Sequence, residues 1–425
     1  MIGPQKKAGL NIKDGYHSFQ ECCSILKNRQ NWQNDQLQKD FESGVRLAIG
    51  TLNLLTSMLP AKIMKLLEFI GFVSNRDIGL QELKRVYEDQ DGLRQFLACL
   101  GILVYDLVVC SYLGDEQYDI DLCEEILQDK ITKYPNGVCF LFVKGRFHFV
   151  KGEMEMAIHC HQKSCSYLEK YPKLCHVYYW ELIWVHQFSL DWWKAYHYTN
   201  LLFEDSKWSK CFYAYQKASL LCMVKDDLNE NQRGEMVELM KNLPGWKQKL
   251  AGKSLPIEKF VIQKANRFLK QGNFLVLPTL ELIYLWNGFR ILGQSQAMIE
   301  PVYQLVEKAE NEVQKEKNNR MFFLEDICLI RLLKGMCFKF MNLPKQAEEC
   351  FKFVIDKEAQ LVTDTYLALY AQFELALKMK SEGKFSRSLD LLEKIQKDKG
   401  HHILQLDLRI QTVQTEIQAK INSDT

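Results

Sequence analysis

The sequence is poor in the residues that interrupt regular structure. It has only nine prolines and 22 glycines in 425 residues, too few for long flexible linkers. It also lacks a charge excess. Lysine and arginine total 55 against 53 acidic residues, a net charge of +2, so nothing global draws the chain toward nucleic acid or acidic lipid. The opening stretch MIGPQKKAGL has no apolar run of the signal-peptide type. The 14 cysteines follow no regular frame. Cys99, Cys110, Cys328 and Cys337 sit inside helical apolar patterns, where cysteine acts as a small hydrophobe. These features predict reduced thiols and a cytoplasmic protein, with nuclear access left open.

Long hydrophobic runs are nearly absent as well. The charge-free stretch Leu47–Ala61 is too short for a bilayer-spanning helix, which needs about 20 apolar residues. Pro60 divides it, and the pattern predicts a second, amphipathic helix with Ile63, Leu66, Leu67 and Ile70 on one face. Gly71 and the turn Asn75-Arg76-Asp77 are expected to end that helix. The stretch QFLACLGILVYDLVVCSYLG, residues 95–114, is long enough to span but carries Asp106 inside, which is costly in lipid. It reads as a central packed helix, and no transmembrane span is expected.

What the sequence does contain is helical periodicity. Leu80–Tyr87, Leu122–Tyr134, Met154–Leu168, Met236–Lys241 and Leu361–Lys380 all carry it, and strand-like alternation is nearly absent. The expected class is all-α. Four segments also share a grid of small residues. Gly145 and Ala157, Gly335 and Ala347, and Ala376 and Ser388 stand twelve positions apart, and Ala195 occupies the second small position of a further unit. Small side chains at this spacing let two antiparallel helices approach closely, as in tetratricopeptide repeats. The predicted architecture is a tetratricopeptide-like helical-repeat solenoid, an α-α superhelix. The units are irregular, since Ala157 to Ala195 is 38 residues and Ala347 to Ser388 is 41, against about 34 for the regular repeat. The expected organisation is N-terminal helical layers over 1–135, repeats over 136–225, a polar connection over 226–260 holding Pro244 and Pro256, and further helices and repeats over 261–425.

Motifs for chemistry fail on spacing. Gly252-Lys253-Ser254 lacks the glycine five positions earlier that a phosphate loop needs, because position 247 is lysine. His159, Cys160, His161, Cys165, Cys175 and His176 are rich in soft ligands, but on a helix His159 points away from the face that His161 and Cys165 share. No nucleophile elbow occurs, and paired carboxylates such as Glu124-Glu125 and Glu348-Glu349 read as solvated helix faces. No catalytic, metal or cofactor-binding residues are assigned, and an enzyme is not expected.

On the repeat grid, the inward positions of the first helices are Cys139, Phe142, Arg146, Phe149 and Val150, then Val177, Trp180, Trp184, Gln187 and Phe188. In the C-terminal pair they are Leu329, Leu332, Met336, Lys339 and Phe340, then Tyr370, Phe373, Leu377, Lys380 and Ser381. This lining is apolar and lacks a cationic set to clamp a peptide carboxylate. Either these residues pack on one another and on other parts of the chain, or they form a groove for a hydrophobic peptide, a helix or a lipid. The candidate groove residues are Phe142, Arg146, Phe149, Trp180, Trp184 and Phe188. The expected partner is a protein client, with lipid as the alternative ligand.

The block GVRLAIGTLNLLTSMLPAKIMKLLEFIGFVSNRDIGLQEL, residues 44–83, resembles the hallmark block of the tetratricopeptide repeat protein 39 family, which is related to the yeast inclusion-body clearance protein. YPNGVCFLFVKGR, CHVYYWELIWVHQF, DSKWSKCFYAY, AGKSLPIEKF and LELIYLWNGF extend the likeness along nearly the whole chain, and it is nearer to the A, B and D paralogues than to C. The resemblance implies a non-catalytic scaffold for protein interaction, with links to lipid homeostasis and inclusion clearance among relatives. Family members carry a further helical region before the segment matching KKAGLNIKDGYHSFQEC, so a short isoform or truncated paralogue is expected, with an exposed apolar end near Ala48–Leu59.

Overall fold

The structure is a computed structural model. It describes residues 4–59, 75–89, 91–116, 118–250, 253–398 and 406–423. The helix expected around Ile63–Ile70 and its end at Gly71 lie outside the described residues. The chain is all-α. Among the described residues, extended pairing is confined to Lys249–Leu250 against Lys253–Ser254. It divides into two compact units. The first holds residues 1–110 and 116–135, the second residues 111–115 and 136–425.

The first unit contains α1 (Pro4–Asn28), α2 (Asp35–Ser57), α3 (Arg76–Glu88), α4 (Gln95–Leu113, of which the residues to Cys110 count here) and α5 (Ile120–Lys133). Asn75 opens the next described helix. Its side chain accepts from the Ile78 amide and caps the start of α3, and its own amide donates to Asn53 Oδ1 at 2.9 Å. The α2–α3 contact is tight because both helices are glycine at the crossing. A Cβ on Gly50 would meet Leu83 at 2.8 Å, and one on Gly79 would meet Leu54 at 3.0 Å. Arg46 crosses the same contact to Glu82 at 2.7 Å.

Within α4, the turn Tyr105–Cys110 is π-helical and Asp106 is buried in it. α4 is the described helix long and apolar enough to cross a membrane. The thiols of Cys110 and Cys123 approach the Asp106 carboxylate at 3.9 and 3.8 Å. Burial pushes the Asp106 carboxyl up to about 6.

The second unit stacks helices mostly in sequence-adjacent pairs. They are α6 (Val138–Val150), α7 (Met154–Tyr167), α8 (Cys175–Phe188), α9 (Trp192–Asp205), α10 (Lys210–Met223) and α11 (Glu230–Asn242), then α12 (Pro256–Lys270), α13 (Pro278–Leu285), α14 (Gln296–Lys315), α15 (Phe323–Phe340), α16 (Pro344–Asp356), α17 (Tyr366–Ser381), α18 (Phe385–Lys397) and α19 (Leu406–Ser423). This is an all-α helical-repeat solenoid. The small-residue grid has direct geometric content. A Cβ on Gly335 would sit 2.6 Å from Phe351 on the partner helix, and Ser388 Oγ donates to the Ala376 carbonyl at 2.8 Å. Ala157, Ala195 and Ala376 are fully buried. The polar stretch 226–260 carries α11, a 3-10 turn and the start of α12, with Met236, Leu239, Met240 and Leu243 buried.

One helix departs from the paired pattern. Every residue of α13, PTLELIYL, is buried. It packs on α10 and α15 rather than only on its sequence neighbours. Its glutamate, Glu281, therefore lies in the core, where an isolated charge is very costly. The surroundings supply countercharge. Lys264 Nζ is 2.8 Å from Glu281 and 2.9 Å from Asp364. Arg267 pairs with both Asp364 and Asp326, Arg320 reaches Asp326 at 3.2 Å, and the Tyr366 hydroxyl donates to Glu281. Burial pushes the Glu281 carboxyl up despite Lys264. At Asp364 burial also pushes upward, but Lys264 and Arg267 outweigh it and hold the carboxyl below its usual range.

The same network shortens a predicted helix. The periodic stretch Leu361–Lys380 becomes helical only at Tyr366. Residues 361–365 form a turn instead. Asp364 is drawn into the core, and Glu325 Oε1 accepts from the amides of Val362 and Thr363 at 3.3 and 3.4 Å.

Two outcomes follow for stability. Lys264→Met is expected to cost about 3–5 kcal/mol in chemical denaturation, because it leaves Glu281 uncompensated, and adding Glu281→Gln is expected to recover part of the loss. For Asp106 the raised folded pKa makes stability fall as pH rises from about 4, its unfolded value, through about 6. Asp106→Asn should remove that fall, raising stability at pH 7 by about 2 kcal/mol relative to its effect at pH 4, as read from denaturation curves at the two pH values.

Candidate functional site

The six residues expected to line a groove lie on α6 and α8. Phe142, Arg146 and Phe149 follow one face of α6, and Trp180, Trp184 and Phe188 one face of α8. The structure brings them together but leaves little of them open. Arg146, Phe149, Trp184 and Phe188 are buried, and Phe142 and Trp180 are half-buried.

Each has a partner within the second unit. Arg146 Nη1 meets Glu181 Oε2 at 2.9 Å, and its guanidinium lies 4.9 Å over the Phe149 ring. This ion pair joins the first helix of one repeat to the first helix of the next. Glu181 was not singled out from the sequence, where it stood as an ordinary helix carboxylate. Phe149 and Phe188 meet edge to face at 4.8 Å. Phe142 packs on His161 at 5.8 Å and Tyr178 at 5.6 Å.

The tryptophans form an aromatic stack. Trp180 lies 5.6 Å from Trp184, 5.8 Å from Phe212, 6.1 Å from Tyr213 and 6.0 Å from Trp208. Trp184 and Phe212 each lie 5.3 Å from Trp286. Trp286 follows the buried helix α13, and beyond it a Cβ on Gly288 would meet Phe188 at 2.5 Å and one on Gly293 would meet Phe340 at 2.1 Å. The segment 278–293 thus covers part of the face of α8 and α15 that the repeat grid assigns to the inside, and it packs on Phe212 of α10. Of the other inward positions, Leu329, Leu332, Met336, Tyr370 and Phe373 are buried too.

Part of the stack reaches the surface. Trp208 is 58% exposed, and Val177 and Leu174, about one and two turns before Trp180 on the α8 side, are also exposed. Val177 was among the inward positions expected from the sequence; Leu174 and Trp208 lie outside the repeat grid and were not.

The soft-ligand cluster of α7 and α8 is drawn together only in part, with the Cys175 thiol 3.9 Å from the Cys165 carbonyl. His161 is fully buried and His159 is exposed. The His161 ring lies against Gly145, where an added Cβ would stand 2.4 Å from it. Burial, with the nearby Arg146 charge, pushes the imidazole down to about 3, so it is neutral and packs as a core residue. Among the described residues, no group of three or more His, Cys, Asp or Glu is placed to hold a metal ion. Gly252 lies outside the described residues, and Pro256 opens α12 at its first turn.

Comparison with known proteins gives a consistent picture. The family model described as Iml2/Tetratricopeptide repeat protein 39 matches residues 4–341. Tetratricopeptide repeat protein ttc-39B of Caenorhabditis elegans is 33% identical over 403 residues, spanning 93% of this chain and 68% of that protein. Among solved structures, the P58(IPK) TPR domain aligns over 82% of this chain and 94% of its own at 12% identity, with a TM-score of 0.23. The fold rests instead on the helix pairs described above.

Gly145→Ala is expected to lower stability by about 1–3 kcal/mol, since the methyl must displace the His161 ring. The double variant Gly145→Ala/His161→Ala should be less destabilised than the sum of the two single changes in a double-mutant cycle.

Proposed function

The chain belongs to the Iml2/tetratricopeptide repeat protein 39 family, and on that premise we propose that it is a non-catalytic helical-repeat scaffold that holds a protein client in the cytoplasm. Solenoids of stacked helix pairs present extended surfaces and are in general interaction modules. The observation that carries the reading is exposed apolar surface around half-buried Trp180: Val177 one turn before it on α8, Leu174 at the start of that helix, and Trp208, whose ring lies 6.0 Å from it. The buried part of the stack holds Trp180 in place through ring contacts at 5.6 to 6.1 Å, so the exposed rings are pre-positioned. Rigid aromatic anchors of this type suit the apolar face of a hydrophobic peptide or an amphipathic helix. The free cysteines, most of them buried, accord with a reducing compartment.

Val177→Asp/Trp208→Ala should leave the melting curve nearly unchanged, because both side chains are more than half exposed. Affinity purification of wild type and this variant, with mass spectrometry of proteins and extracted lipids, should show a stoichiometric protein partner lost from the variant. Loss of a lipid without loss of a protein, or no loss at all, overturns the reading. Trp184→Ala serves as the core control and is expected to cost about 3–5 kcal/mol.

A further inference from the structure

A second surface of the same unit has a different chemistry. Along α12, Lys259 and Lys270 stand on the exposed side, and Lys247 comes from the loop before it. The three line one surface hollow whose wall also includes Arg267, Phe322 and Thr363. No acidic residue lines it. None of the three lysines is engaged in an ion pair among the described residues, whereas Lys264, one turn from Lys259 but on the buried side, is paired twice. Arg267 is buried, and its Nε has no hydrogen-bond partner.

Two exposed apolar residues flank the lining in the chain. Met321 is 71% exposed and Val362 is 81% exposed, and they adjoin the lining residues Phe322 and Thr363 in the chain. The Val362 turn is not a loose loop tip. Its amides bond to buried Glu325, Gln263 Nε2 donates to the Thr363 carbonyl, and Asp364 is anchored by Lys264 and Arg267. The core network therefore pushes a valine into water beside three uncompensated positive charges.

We propose that this hollow docks an acidic segment of a partner protein, with aspartate or glutamate against Lys247, Lys259 and Lys270 and an apolar side chain against Met321 and Val362. The proposal rests on the scaffold reading and adds a second contact to it, remote in sequence from the α8 strip. Charge complementarity selects the sign of the partner. The recess selects its shape. A bilayer is flat on this scale and meets only the rim, while a single extended chain can enter and reach Arg267 and Phe322. Opposite charges at a partly solvated site also predict that binding weakens as salt is raised.

The test is selection of a random-peptide phage library on the full chain, followed by fluorescence anisotropy with the recovered peptides. The expected result is enrichment of aspartate and glutamate next to an apolar residue. Lys259→Glu/Lys270→Glu should weaken such peptides by about tenfold or more with an unchanged melting curve, and Val362→Ser should weaken them less. Flotation with phosphatidylserine-containing vesicles runs in parallel. Peptides that are neutral or basic, or that bind the charge-reversed variant equally, overturn this site while leaving the scaffold reading intact. Vesicle binding abolished by charge reversal, without peptide binding at the hollow, overturns it in favour of a membrane.

Discussion

The second unit depends on the compensation of one buried carboxylate. Glu281 sits in α13, a helix with no exposed residue, and could not be there ionised without Lys264 beside it. Lys264 in turn binds Asp364, Asp364 binds Arg267, and Arg267 binds Asp326. These residues come from α12, α13, α15 and the turn before α17, up to 100 positions apart in the chain. Removing one member strands another in a medium that solvates charge poorly. The network thus couples elements that sequence-adjacent helix packing alone would leave independent, as stacked repeats otherwise are.

The burial of α13 also decides where ligands can go. Trp286 and the glycines after it cover Trp184, Phe188 and Phe340, so the chain itself occupies the face that a simpler repeat protein would leave open. Apolar surface is better covered than exposed, and here the cover is covalently attached. What remains available are the edges. One is aromatic, where the stack ends at Trp208. The other is cationic, where the network turns Lys264 inward and leaves Lys259 and Lys270 outside on the same helix. Lysine thus stands on both faces of this helix, paired with carboxylates on the buried one and solvated on the other.

Much of the fold was legible in the residues because helix pairing is a local matter. Period 3.6 marks the helices, and the small residues at Gly145, Ala157, Gly335 and Ala347 mark where pairs touch, since a methyl group at either glycine has nowhere to go and both alanines are buried. His161, on the helix face it shares with Cys165, lies in the core. The end of α2 and the start of α3 were less legible. In a sequence Asn75 can be read as a helix stop or a helix cap, and the bond from the Ile78 amide to its side chain shows the cap of α3.

The candidate site shows the limit more sharply. Its six residues are adjacent in space, as helical spacing requires, and that much the sequence by itself determined. Whether Trp184 and Phe188 face solvent depended on Trp286 and Gly288, about a hundred positions further along, and no local pattern carries that information. The same holds for Glu281, Asp326 and Asp364. In sequence each is an unremarkable carboxylate, and periodicity placed Leu361–Asp364 inside a helix. Only tertiary structure decided that Asp364 turns inward and Val362 outward, because the energy of a buried charge is set by what surrounds it and not by its neighbours in the chain.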